Sequence, residues 1–279
     1  MNHFLLTAFA AYVVAAIHSV LAFIHKRRAL QRVALAMLAF GFAAHTASLI
    51  VEWVAGGHYP ILHRKETLSF LAWTMVIAYG LALYRYHGLA SNFVPALGTF
   101  TLPLVALLTL AAMMTAESAG LAPGLIIDGR AAWLHPVHTT LILFAYAAFF
   151  VVFAASVMYL LQERELKLKT FGANFHRLPS LATVDDIGRA AAGVGFMLLT
   201  LGILTGMIWS STRDGRLWHN DPKEILAALT WLLYLILIHS RYLAGWRGRR
   251  VAWLGVAGFA LVLCTFFGAR LMGGYHVFG

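Results

Sequence analysis

Long apolar runs alternate with short polar connections along the whole chain. They cover roughly residues 4–24, 33–54, 67–86, 93–115, 134–161, 190–211, 225–243 and 251–271, each close to the ~20 residues that a helix needs to cross a bilayer. Backbone N–H and C=O groups find no water in lipid, so runs of this length satisfy them internally as helices. The pattern therefore predicts an all-α membrane protein, a bundle of eight transmembrane helices forming a single integral membrane domain over 1–279. The first run, Phe4 to Ile24, lacks the positive start and the small-residue cleavage site of a signal peptide and is counted as a span.

Composition agrees with this reading. Of 279 residues 61% are hydrophobic and only 11% charged, and the mean hydropathy is +0.77, which excludes an ordinary soluble domain. The formal charge of +10 is a matter of orientation. If the loop after the first span is cytoplasmic, fourteen of the 21 Lys and Arg fall on that side, and the positive-inside rule then puts both termini extracytoplasmic. No basic patch interleaved with aromatics appears, so nucleic acid is not an expected partner.

The single cysteine, Cys264, lies in an apolar run. A disulfide framework, a thiolate metal site and a C-x-x-C-H haem attachment are thereby excluded, so the chain is not itself a c-type cytochrome. No phosphate-cradling glycine loop, Ser-His-Asp triad or carboxylate pair is visible, which argues against nucleotide-driven transport and against hydrolysis. The absence of an internal repeat argues against an inverted-repeat transporter.

Local signals are sharper. Asp221-Pro222-Lys223-Glu224 has the spacing of a reciprocal capping box with proline in the first turn. Thr183 and Asp186 have the same spacing ahead of the sixth span. Glu66 suits the positive N-terminal end of the third span, and Glu163 with Lys167 can pair if the fifth helix continues past the bilayer. Gly202 and Gly206 form a G-x-x-x-G on which another helix can close. Among the thirteen histidines, His18, His45 and His239 fall within spans, where an ionisable side chain is a functional candidate.

The order Trp209, Trp218, Asp221-Pro222-Lys223-Glu224, Trp231, His239, Arg241 and Gly245-Trp246-Arg247-Gly248 resembles the tryptophan-rich, WWD-type signature of the cytochrome c assembly family. These are haem-handling membrane proteins typified by the membrane subunit of the System II cytochrome c synthase. His45, His58, Pro60 and Glu66 resemble a second family pattern, and Leu166, Lys167, Arg177 to Leu181 and Asp185 a third, so the likeness is strongest over 45–276. The chain departs from the signature at Asn220 and Leu226, where the family commonly has tryptophan, and at Lys65, where it has tyrosine.

What the resemblance implies is haem b held and handled for c-type cytochrome biogenesis in the bacterial cytoplasmic membrane. His138, eight positions before Tyr146, matches one external axial ligand, with His135 as the near competitor. His276, in Gly274-Tyr275-His276, matches the other. Trp209 and Trp218 would stack on the porphyrin, and Arg213, Arg216 or Lys223 would pair with its propionates beside Asp221. A second, embedded haem would take His239, with His45 or a histidine of a second membrane subunit opposite. The receiving partner would be an apocytochrome c with a C-x-x-C-H motif. The alternative expectation is a haem-free accessory or regulatory protein of the same fold.

Overall fold

The structure, a computed structural model, describes residues 3–86, 93–115, 132–169 and 177–268. They form eight helices in chain order: α1 His3–His25, α2 Arg28–Gly56, α3 Arg64–Tyr86, α4 Phe93–Met114, α5 Leu134–Leu168, α6 Leu181–Asp214, α7 Pro222–Tyr242 and α8 Arg249–Leu263. A π-helical turn, Cys264–Gly268, continues the last. All eight are long and apolar enough to cross a membrane, as the hydropathy pattern predicts. The oily connection between α4 and α5, residues 116–131, lies outside the described residues.

Helix ends follow from local chemistry. α5 has 35 residues, about 52 Å at 1.5 Å per residue, and so outruns a hydrocarbon core of ~30 Å. Its excess is the polar end, where Lys167 Nζ lies 2.7 Å from Glu163 Oε1 as the four-residue spacing predicts. The start of α6 corrects the sequence reading. Its cap is Ser180, whose Oγ accepts from the Thr183 backbone N–H at 3.2 Å, while Asp186 pairs with Arg189 instead. Pro179 disfavours helical geometry in the residue before it. Ser180, just past it, is the first side chain placed to cap.

Where the sequence suggests one domain, contacts divide the chain into two compact units. The first is Met1–Glu117 with Leu161–Val184, and the second is Ser118–Leu160 with Asp185–Gly279.

In the first unit α1 packs on α2 and α4, and α3 packs on α4. The buried stripe of α1 is Leu5, Ala8, Ala11, Tyr12, Ala15, Ala16, Ser19 and Ala22, mostly small residues that let helix backbones approach where lipid supplies no hydrophobic drive. His45 is fully buried. Its Nδ1 is 3.2 Å from the Tyr12 hydroxyl of α1 and its Nε2 is 2.9 Å from Ser69 Oγ of α3. Both ring nitrogens are engaged, so the structure gives His45 a different role from the axial ligand weighed above: it clasps α1, α2 and α3 together.

In the second unit α5 meets α6 at Gly202 and Gly206. A Cβ on Gly202 would come 2.6 Å from Ile142 Cδ1, and one on Gly206 would come 2.6 Å from His138 Nδ1, so the glycines are what allow the two helices to meet. Phe149 stacks on Tyr234 with ring centroids 3.5 Å apart. At the far end of α7, Arg241 Nη2 lies 3.3 Å from Asp185 Oδ1 and Nη1 donates to the Asp185 carbonyl at 3.1 Å, tying α7 to the first turns of α6.

The clasp predicts that His45→Leu lowers the thermal unfolding midpoint in detergent, because the Tyr12 and Ser69 hydroxyls lose their partner at about 1–3 kcal/mol for each group left unsatisfied. Tyr12→Phe on top of it should cost less than the two single losses added together. Full additivity would show that the ring does not join the helices.

Candidate functional site

The site of the second unit begins where α6 gives out. Gly215 adopts a left-handed conformation (φ 72) and its N–H donates to the Ser211 carbonyl at 3.0 Å, ending the helix. Six residues later α7 starts with its capping box complete. Asp221 Oδ1 accepts from the Lys223 N–H at 3.2 Å, and Glu224 Oε2 accepts from the Asp221 N–H at 3.4 Å. Glu224 does more than close the box. Its Oε2 also accepts from the His219 N–H at 2.7 Å, and its Oε1 lies 3.3 Å from His219 Nδ1.

Asn220 explains its own presence. It sits at φ 56, a left-handed conformation that asparagine tolerates far better than a bulky aromatic does. Its Oδ1 accepts from Trp218 Nε1 at 2.8 Å. The side chain thus holds a reversal of the chain and orients the neighbouring indole.

Against this segment stands the top of α5. His138 Nδ1 is 2.7 Å from the Gly202 carbonyl. A carbonyl only accepts, so Nδ1 carries the proton and the imidazole lone pair is on Nε2, the tautomer a metal ligand requires. His138, Ile142 and Tyr146 line a cleft together with Gly206, Trp209, Trp218, Lys223, Glu224 and Thr265. Its empty space is about 760 Å³ with open solvent included. The walls are mainly apolar, with an imidazole, an ammonium and an indole at defined places. That set fits a flat apolar ring bearing a metal and carboxylates.

Residues 61–276 match the family model described as cytochrome C assembly protein. The chain belongs to this family. Similar relatives include the cytochrome c biogenesis protein CcsA of Prochlorococcus marinus (strain MIT 9303), 33% identical over 262 residues, 84% of this chain and 80% of that protein. CcsA of Synechococcus sp. (strain CC9311) is 31% identical over 278 residues, 87% of each chain. Among solved structures, cytochrome c heme lyase CcmF matches with a TM-score of 0.70 at 19% identity, covering 97% of this chain and 48% of that one. This chain thus spans about half the length of CcmF, and at that identity the likeness is one of fold.

The residues singled out from the sequence separate once seen in this cytochrome c assembly protein. His138 and Tyr146 share the cleft wall, as an eight-residue offset on one helix requires. His135 is 3% exposed and packs its ring 4.8 Å from that of Trp209, whose other neighbour is the Arg213 guanidinium at 4.7 Å. Trp209 is therefore buried within a cation and ring stack, with only part of it lining the cleft. Trp218 is 40% exposed and remains the displayed indole. Asp221 is buried in its capping role, Arg216 is exposed, and Lys223 lines the cleft. His239 lies exposed in the last turn of α7, one turn from the helix end, and not deep in the unit. His45 belongs to the other unit, and His276 lies outside the described residues. Sequence reasoning missed His219 and the double duty of Glu224; the acid three residues after a cap was the available signal.

If Asn220 acts through its backbone, Asn220→Gly should keep the reversal and lose only the Trp218 bond, while Asn220→Ala should add about 1–2 kcal/mol of left-handed strain. Thermal midpoints in detergent falling further for alanine than for glycine would bear this out. Equal losses would assign the whole effect to the side chain.

Proposed function

We propose that this protein holds haem in the bacterial cytoplasmic membrane for c-type cytochrome biogenesis and presents it at the extracytoplasmic face to the reduced C-x-x-C-H of an apocytochrome c. Family membership supports the role in c-type cytochrome maturation. The likeness to proteins named for cytochrome c biogenesis and haem lyase activity supports it further. The haem reading rests on His138, whose proton is fixed on Nδ1 by the Gly202 carbonyl at the wall of an apolar cleft.

In this reading haem b is the substrate, with His138 as one axial ligand and His276 as the other. Trp218 provides a ring face, and Lys223 and Arg216 provide cations for the propionates. Both termini are extracytoplasmic, as the distribution of Lys and Arg implies, so the cleft opens toward the exported cytochrome. Haem supplies the iron and the vinyl groups that become thioethers. The chain supplies orientation and exclusion of water, since nearness of vinyl and thiol is the main requirement. For an embedded haem, His239 is the ligand and a second membrane subunit provides the opposite histidine, because His45 is held by Tyr12 and Ser69.

The test is an absorption spectrum of protein purified from haem-replete membranes, with yields of mature cytochrome c measured beside it. The wild type should show a Soret band. His138→Ala and His276→Ala should each lose most of it, with partial return on adding imidazole, and should lower mature cytochrome c by at least about 10-fold. Gly206→Ala, which brings a methyl against His138 Nδ1, should weaken the band with both ligands present. A haem-free wild type that still supports maturation would overturn this reading in favour of an accessory role.

A further inference from the structure

The turn that joins α2 to α3 lies in the first unit and brings three potential ligand side chains together. α2 ends at Gly56, and Gly57 is left-handed (φ 67) with its N–H on the Trp53 carbonyl at 3.0 Å. These glycines let the chain fold back so that the His58 ring lies over Gly56, where a Cβ would come 3.1 Å from His58 Nε2. His58 Nδ1 is 3.2 Å from the Tyr59 carbonyl, which puts the proton on Nδ1 and the lone pair on Nε2. That nitrogen faces Glu66 Oε1 at 3.9 Å, too long for a hydrogen bond.

Glu66 is oriented as firmly as His58. Its Oε2 accepts from the Leu62 and His63 N–H groups at 2.8 and 3.1 Å, which turns Oε1 toward His58. The His63 ring lies 5.7 Å from that of His58 with the planes at 69°. One ligand atom from each of His58, His63 and Glu66 falls within 4.8 Å of the other two, all three side chains being half-buried. A tetrahedral ion with bonds of about 2.0–2.2 Å separates its ligand atoms by about 3.3–3.6 Å, so small side-chain rotations close the set. The carbonyl end of α2 adds partial negative charge. Arg64 and Lys65 oppose a cation, although Lys65 Nζ is drawn 4.0 Å from Glu52 Oε1.

We propose that His58, His63 and Glu66 form a three-ligand site for a divalent first-row transition ion of the zinc type, with a fourth position open to solvent or a further ligand. Two imidazoles and one carboxylate suit zinc and its first-row neighbours. They do not suit magnesium or calcium, which take oxygen, or copper(I), which takes sulfur. The site lies in the first unit, on residues distinct from those assigned to haem.

The experiment uses the full chain in detergent, carrying no histidine tag and stripped with chelator, titrated with Zn²⁺ and with Co²⁺ as a spectroscopic probe. The expected result is one tight equivalent with intense four-coordinate cobalt d–d bands. His58→Ala and His63→Ala should each weaken Zn²⁺ binding at least about 10–100-fold and abolish those bands. Because the Glu66 cap draws on backbone N–H groups, His63→Ala keeps it, and an unchanged thermal midpoint without metal would show that the variant folds. Glu66→Gln should bind weakly while still capping. Zn²⁺ binding untouched by His63→Ala, or only weak six-coordinate cobalt bands in the wild type, would overturn the proposal.

Discussion

A single backbone carbonyl in α6 decides which nitrogen of His138 carries a proton, and the candidate site depends on that. Helix carbonyls have a second lone pair that in lipid is met only by a nearby hydroxyl of the same helix or by a neighbouring helix. Gly202 and Gly206 remove the side chains that would keep α5 away, and the Gly202 carbonyl then meets His138 Nδ1 at 2.7 Å while also accepting from Thr205 Oγ1 at 2.9 Å. An interhelical bond of this kind contributes only about 0.6–2 kcal/mol to packing. Its larger effect is chemical, because it holds the imidazole in one tautomer and one orientation.

The segment before α7 works on similar terms. Two carboxylates, Asp221 and Glu224, gather the N–H groups of His219, Asp221 and Lys223 around a buried helix start. Engaged in this way, they form a scaffold and are poorly placed to move protons. What the scaffold displays is Trp218, steered by Asn220. A tryptophan at position 220 would supply more ring surface, but it would have to hold a left-handed backbone that suits asparagine.

Features set by local spacing were legible in the sequence. The eight spans, the capping box at Asp221, the Glu163–Lys167 pair, the close approach at Gly202 and Gly206 and the shared face of His138 and Tyr146 all follow from helix periodicity or from contacts within a few residues. What escaped depends on which helix lies next to which. His45 reads as a costly buried ionisable group until Tyr12 and Ser69 are brought to it from 33 and 24 positions away. Trp209 reads as a stacking platform until His135 is seen packed on it. The cap of α6 lies at Ser180, three residues before Thr183, because two hydroxyls compete for the role and Ser180 is the one that accepts from the Thr183 N–H. His58 and Glu66 belong to one sequence pattern, but only the fold-back at Gly56 and Gly57 brings them into one cluster with His63.

The position of His239 bears on how haem would be shared. On α7, Leu237 and Ser240 are buried, and Arg241 is held to Asp185 with 8% of its side chain exposed. These anchors set the rotation of the last turn, and His239 consequently points away from the core of its own unit. Turning it inward would break the Arg241 contacts and leave a guanidinium without its counter-ion, a loss of about 3–5 kcal/mol for a buried pair. A ring coordinated by His239 must therefore approach from outside the second unit's core. An exposed, ionisable side chain in a membrane helix is stable in that state only if it reaches the interface or meets a partner. In the proposed reading, a histidine from a second membrane subunit would satisfy the second condition.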